Sequence, residues 1–128
     1  MDETKMMDFV ERAVEDVGAL LGGAMVVIGD KLGLYRAMAG SGPVTPAQLA
    51  GHTGTAERYV REWLSAQAAR GYLTYEGDGR FALPDEHAIP LTDETSPGCV
   101  ITSIDPVRLF ALSTATKDLA RNWPPRSE

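Results

Sequence analysis

A single cysteine, Cys99, stands in a chain of 128 residues. One thiol excludes an internal disulfide and any cysteine-built metal cage. The two histidines, His52 and His87, are isolated in sequence and lack the spacing of metal ligands. No window approaches the ~20 uninterrupted apolar residues of a membrane span. The start, MDETKMMDFVERAVED, is acidic and amphipathic, unlike a secretory leader, so cytoplasm is the expected compartment. Basic charge is also in deficit. The net charge is −6, with residues 1–44 and 84–128 each at −3 and residues 45–83 at zero. Nucleic-acid binders carry a basic footprint because phosphate neutralisation dominates their affinity, so this balance counts against DNA.

The stretch MVVIGDKLGLYRAM, residues 25–38, decides whether the chain holds a nucleotide. A strand feeding a glycine turn would suit a cofactor, but the spacing is helical. Leu21, Met25, Ile28, Leu32, Tyr35 and Ala39 follow at steps of 4, 3, 4, 3 and 4, with Val27, Leu34 and Met38 beside them. Gly29 and Gly33 fit neither a dinucleotide turn nor a P-loop. Each costs a helix up to ~1 kcal/mol relative to Ala, which is tolerable where a neighbouring helix packs close. The stretch reads as one continuous helix.

Upstream, Met6, Val10, Ala13, Val17 and Leu20 mark the inward stripe of a first helix over residues 4–21, which Gly22-Gly23 separates from the second. Two long apolar-faced helices carry more surface than a small domain covers, which implies self-association through residues 4–38. Then Thr45, Pro46 and Gln48 form an N-cap, a first-turn proline and a capping box. That short helix ends near Ala50-Gly51, and Thr55 reads as the N-cap of another over 56–70. Tyr59, Val60, Trp63, Leu64 and Gln67 form its buried stripe, and Gly71 closes it in a left-handed position. YLTY and RFAL around EGDG read as a β-hairpin with Leu73, Tyr75, Phe81 and Leu83 inward. Residues 85–98 read as a linker with one helical turn. Ser96-Pro97 and Asp105-Pro106 read as helix starts, followed by a last helix to about Asn122 with Leu109, Leu112, Thr116 and Leu119 on its inner stripe.

The expected fold is mainly α: two N-terminal dimerisation helices, a winged helix-turn-helix with one small hairpin, and a C-terminal helix. Its parts are an N-terminal helical dimerisation segment (1–41), the winged helix-turn-helix (42–84), a linker with the last helix (85–123) and a tail (124–128).

Three segments in order, GDKLGLYRAMAGSGPVTPAQLAGHTGTAERYVREWLSAQAARGYLTY, FALPDEHA and LTDETSP, resemble the N-terminal winged-helix region of bacterial class I S-adenosylmethionine-dependent methyltransferases. These belong to the group often described as methyltransferase or transcriptional regulator, and the resemblance covers residues 8–100. It implies a homodimerising module that lines a small-molecule substrate pocket, ahead of a Rossmann-like domain that binds the methyl donor. The signature of that domain, [DE]-x-G-x-G-x-G after an apolar strand, does not occur in these residues. No catalytic, cofactor or metal residue is therefore assigned, and S-adenosylmethionine is expected only where a catalytic domain follows. The resemblance points to Phe9, Tyr35 and Phe110 as pocket residues, which helical spacing explains equally as core or interface; the apolar stripe adds Met25, Ile28 and Leu32 as pocket or dimer-interface candidates.

Two other functions compete. A stand-alone winged-helix transcriptional regulator would bind DNA as a dimer through Thr55, Arg58, Arg61 and Arg80, although Glu57 and Glu62 alternate with the arginines and favour a solvated face with local ion pairs. A small metabolite-binding or accessory protein of a biosynthetic pathway would place a pocket at the dimer interface. Tyr59 and Trp63 read as core. His87 beside Asp85 and Glu86 has no nucleophile or metal set around it and reads as a surface or cap residue, and Cys99 as a buried thiol.

Overall fold

A computed structural model describes residues 1–100 of the chain. In order these form α1 (Glu3–Lys31), α2 (Leu34–Met38), α3 (Pro46–Thr53), α4 (Glu57–Ala69), β1 (Thr74–Gly77), β2 (Arg80–Ala82) and α5 (Asp85–Thr92). The expected last helix, with Leu109, Phe110, Leu112, Thr116 and Leu119, lies outside the described residues.

The N-terminal helices differ from expectation. Gly22-Gly23 does not divide them: α1 runs unbroken for 29 residues from its N-cap Asp2, whose carboxylate accepts from the main-chain N–H groups of Thr4 and Lys5. The break falls instead at Leu32-Gly33. Gly33 has φ +71, a left-handed conformation that glycine alone adopts without strain, and α2 starts directly after it. Residues 25–38 are thus helical, as read, but in two pieces.

The buried stripe of α1 also differs. Gly22, Val26 and Gly29 face the body, whereas Leu21, Ile28 and Leu32 remain 62%, 43% and 48% exposed. The body-facing stripe is smaller because α4 lies very close. A Cβ on Gly29 would sit 2.4 Å from Trp63 Cζ2, and one on Gly22 would sit 2.5 Å from Arg70 Nε. Large residues on this side would push the helices apart, so the large ones lie on another face.

The second half follows the reading closely. Thr45 caps α3, accepting from Gln48 N at 3.2 Å while Gln48 Oε1 accepts from Thr45 N at 3.0 Å. The helix runs on past Gly51 to Thr53, with Gly54 as its C-cap. Thr55 does not cap α4; Ala56 holds that position without a side-chain hydrogen bond. The Thr53 hydroxyl donates to Leu49 O at 2.9 Å, so Thr55 donates to Thr53 Oγ1 at 2.8 Å and ties the turn together. Gly71 follows α4 in the left-handed region. On α4, Val60, Trp63, Leu64 and Gln67 are buried, but Tyr59 is 74% exposed.

The hairpin is antiparallel, pairing Thr74 with Ala82 and Tyr75 with Phe81, and its register shifts between Tyr75 and Gly77. Val44, before α3, exchanges two main-chain hydrogen bonds of 2.8 Å with Phe81 and so adds a third edge to the wing. Leu73, Phe81 and Leu83 are buried as expected. Tyr75 is not: its ring packs on Phe81 at 5.2 Å, its hydroxyl accepts from Gly79 N, and the rest faces solvent.

α5 is two turns rather than one. Asp85 and Glu86 in its first turn suit the positive end of the helix, and Leu91 buries against the core. Ser96-Pro97 forms a turn rather than a helix start. One core joins Val26, Leu34, Tyr35 and Met38 to Leu49, Val60, Trp63, Leu64 and Phe81.

Candidate functional site

Two surfaces qualify, an apolar face along α1 and the outer face of α4 beside the wing. Every residue before Gly18 is exposed except Ala13, which is half-buried. The N-terminal half of α1 therefore extends roughly 22 Å beyond the body. Its apolar residues do not stop where the body stops. Val10, Val14, Val17 and Leu21 are 42%, 65%, 60% and 62% exposed and share one face. Asp8, Glu11, Arg12 and Glu15 occupy the opposite one. Among the described residues nothing covers the apolar face.

Trp63 of α4 and Arg70 at its C-cap strap the other half of α1 in place. Trp63 Nε1–H donates to Met25 O at 2.9 Å, and Arg70 Nη1 donates to Gly18 O at 3.0 Å. Beside this strap lies an apolar notch of about 260 Å³, with Ile28 and Leu32 from α1, Tyr59 and Trp63 from α4, and Leu34 among its lining residues.

The interface candidates thus separate. Ile28 and Leu32 line the notch, and Phe9 sits on the projecting half of α1, 66% exposed. Met25 is half-buried, with its carbonyl bound by Trp63. Tyr35 reaches neither surface. It is 1% exposed, packs edge-on against Trp63 at 5.0 Å, and donates its hydroxyl to Gln67 Oε1. Burial, with Tyr72 and Asp30 nearby, raises its pKa well above the usual tyrosine range. Gln67 Nε2 is buried without a hydrogen-bond partner. Phe110 lies outside the described residues. Sequence reading placed Tyr59 in the core; its position in the first turn of α4 carries it to the rim of the notch.

The second surface bears the residues named for DNA. Arg58 and Arg80 are exposed, Arg61 is paired with Glu57 one turn away, and Thr55 is held in the turn by Thr53. Between α4 and the wing is an open cleft of about 630 Å³ with Arg61, Ser65, Ala68, Tyr75 and Phe81 in its walls. Glu57 and Asp78 also line it, so its charge is mixed.

The histidines lie apart. His87 Nδ1 donates to Tyr72 O at 2.8 Å and pins α5 to the segment before the wing, and His52 is exposed on α3. Among the described residues no three of His, Cys, Asp and Glu cluster as a metal site, and no helix is long and apolar enough to cross a membrane.

The order helix, Val44 edge, two helices and hairpin defines a winged helix-turn-helix. Residues 20–93 match the model of the Rv2258c-like winged HTH domain, and the chain belongs to that family. Solved methyltransferase structures share this fold over most of the chain. The mitomycin 7-O-methyltransferase MmcR matches with a TM-score of 0.73 and 25% identity, over 91% of this chain and 35% of its own. CalO1, a methyltransferase in calicheamicin biosynthesis solved with SAH bound, matches with a TM-score of 0.67 and 28% identity, over 100% of this chain and 36% of its own. RosA from Streptomyces davawensis, an N,N-8-amino-8-demethyl-D-riboflavin dimethyltransferase, shares the fold at a TM-score of 0.70 and 22% identity, over 90% of this chain and 35% of its own. The chain thus spans about a third of the length of these methyltransferases. No protein of curated function matches it.

Proposed function

We propose that this chain is the dimerisation and substrate-pocket-shaping module of a methyltransferase-like protein, without catalysis of its own. The observation that carries the reading is the apolar face of α1, which extends past the body while Val17 and Leu21 stay more than half exposed. A surface of this kind marks an interaction site. The likeness to MmcR and CalO1 supports the methyltransferase setting. S-adenosylmethionine would be held by a catalytic domain, outside the residues described. The role of this module is to bring two copies together and to roof the acceptor pocket, excluding water when a catalytic domain closes on it.

The mixed charge of the α4 face favours this reading over DNA binding, since Glu57 already occupies Arg61. Sedimentation of the chain across a concentration series tests the proposal. Dimers at micromolar concentration are expected, and Val17→Glu on the open face should give monomers whose body still unfolds cooperatively. A chain that remains monomeric throughout would overturn it.

A further inference from the structure

We infer that α1 pairs antiparallel with α1 of a second copy, about a two-fold axis at Ala19. The inference rests on the dimer reading and goes further by fixing direction and register.

In an isologous interface, residue i meets residue j and j meets i. An antiparallel helix pair therefore requires apolar positions placed symmetrically about its centre. The open face of α1 meets that requirement. Met6 and Leu32 each lie 13 positions from Ala19, Val10 and Ile28 nine, and Val17 and Leu21 two. All six are at least 42% exposed. They lie on one face of the helix, and the acidic residues Asp8, Glu11 and Glu15 lie off it.

The asymmetry of the molecule decides the direction. The N-terminal half of α1 carries apolar residues but no body, and an unsupported helical stretch of this length is marginal in water. The C-terminal half carries the body and, beside Ile28 and Leu32, the notch floored by Trp63, whose rim residue Tyr59 is 74% exposed. A parallel pair would set the two bare halves together and leave both notches open. The antiparallel pair lays each bare half along the other copy's notch, with Met6 opposite Leu32 and Val10 opposite Ile28. Each notch is then completed by the second copy.

Disulfide trapping in the whole chain tests this, in a Cys99→Ala background so that only introduced thiols react. About the proposed axis, two copies of position 10 lie ~27 Å apart along the helices, far beyond the ~7 Å Cα limit for a disulfide. Val10→Cys alone should therefore give no cross-linked dimer, whereas Val10→Cys with Ile28→Cys should, as should Val17→Cys with Leu21→Cys next to the axis. Sedimentation under reducing conditions separates the two levels of the argument. A dimer that links through Val10→Cys alone is parallel and overturns the register, as does a dimer that links at none of these positions. A monomer overturns the register together with the dimer reading beneath it.

Discussion

Trp63 Cζ2 occupies the space where a side chain on Gly29 would begin, 2.4 Å from the ideal Cβ position. Tyr35 Cε2 stands 2.7 Å from the same point, so both rings depend on the missing methyl group. Alanine at 29 would gain up to ~1 kcal/mol in helix propensity but would overpack the core, at about 1–3 kcal/mol. Gly29→Ala is expected to be net destabilising in urea titrations. Gly23, nearly two turns nearer the middle of the helix, meets nothing within 4 Å, and Gly23→Ala should stabilise by up to ~1 kcal/mol. Equal effects at the two glycines would mean that α4 does not grip α1 in this way.

The Tyr35–Gln67 pair is the second consequence of that close packing. Tyr35→Phe leaves Gln67 Oε1 buried without its donor, beside an Nε2 that already lacks a partner. The expected cost is about 1–3 kcal/mol. Gln67→Leu removes both unpaired atoms, so the double variant should be more stable than the sum of the single losses predicts. Titration follows from the same burial. The folded state raises the Tyr35 pKa above its value of 10.0 in an open chain. Folding therefore favours the protonated phenol: this contribution is complete below pH 10 and is lost as pH rises above it. Chemical denaturation between pH 9 and 11 should show a steeper fall for the parent chain than for Tyr35→Phe.

These contacts mark where the sequence could and could not be read. Capping chemistry is local, so Thr45, Pro46 and Gln48 announced α3 correctly, and Gly71 announced the end of α4. The stripe of α4 was legible from spacing at Val60, Trp63, Leu64 and Gln67. The faces of α1 were not. Periodicity finds the large apolar residues, and here those form the open face, while the packed face is made of Gly22, Val26 and Gly29. Two adjacent glycines signal a break in isolation, yet α4 and its C-cap supply Trp63 across Gly29 and Arg70 across Gly22, and the helix continues. Tyr59 and Tyr75 misled for a related reason. Each sits at an apolar position beside a buried stripe, and only the tertiary arrangement shows that the opposite wall is missing. The excess of apolar surface over residues 4–38 was nevertheless visible from composition and spacing, and it is the feature on which the functional reading stands.

The two helix starts of the motif offer a paired stability test. Thr45 satisfies the first turn of α3 through its hydroxyl, and Thr45→Ala should cost about 1 kcal/mol. At the start of α4, Ala56 has the extended conformation of an N-cap, φ −80 and ψ 123, but no oxygen to offer. Ala56→Asp should stabilise the domain by about 1 kcal/mol, adding both a cap and a negative charge at the helix start. Thermal melts of the two variants should therefore move in opposite directions. A neutral result for Ala56→Asp would show that the first turn of α4 finds its acceptors elsewhere.

The surface that a DNA-reading winged helix would present supplies the last prediction. Tight binding to duplex DNA needs several cations to displace condensed counterions, and each lost contact flattens the salt dependence. Residues 45–83 sum to zero charge. Of the three candidate arginines there, Arg61 is paired with Glu57, and Arg80 follows Asp78 in a wing that also carries Glu76. Only Arg58 stands on α4 without a carboxylate bound to it among the described residues. Fluorescence anisotropy with a labelled duplex at low salt is therefore expected to detect no binding, and Arg58→Ala or Arg61→Ala should change nothing. Binding that weakens with added salt and with Arg58→Ala would reverse this conclusion. The open face of α1 would then join two DNA-reading domains, and the chain would act as a regulator.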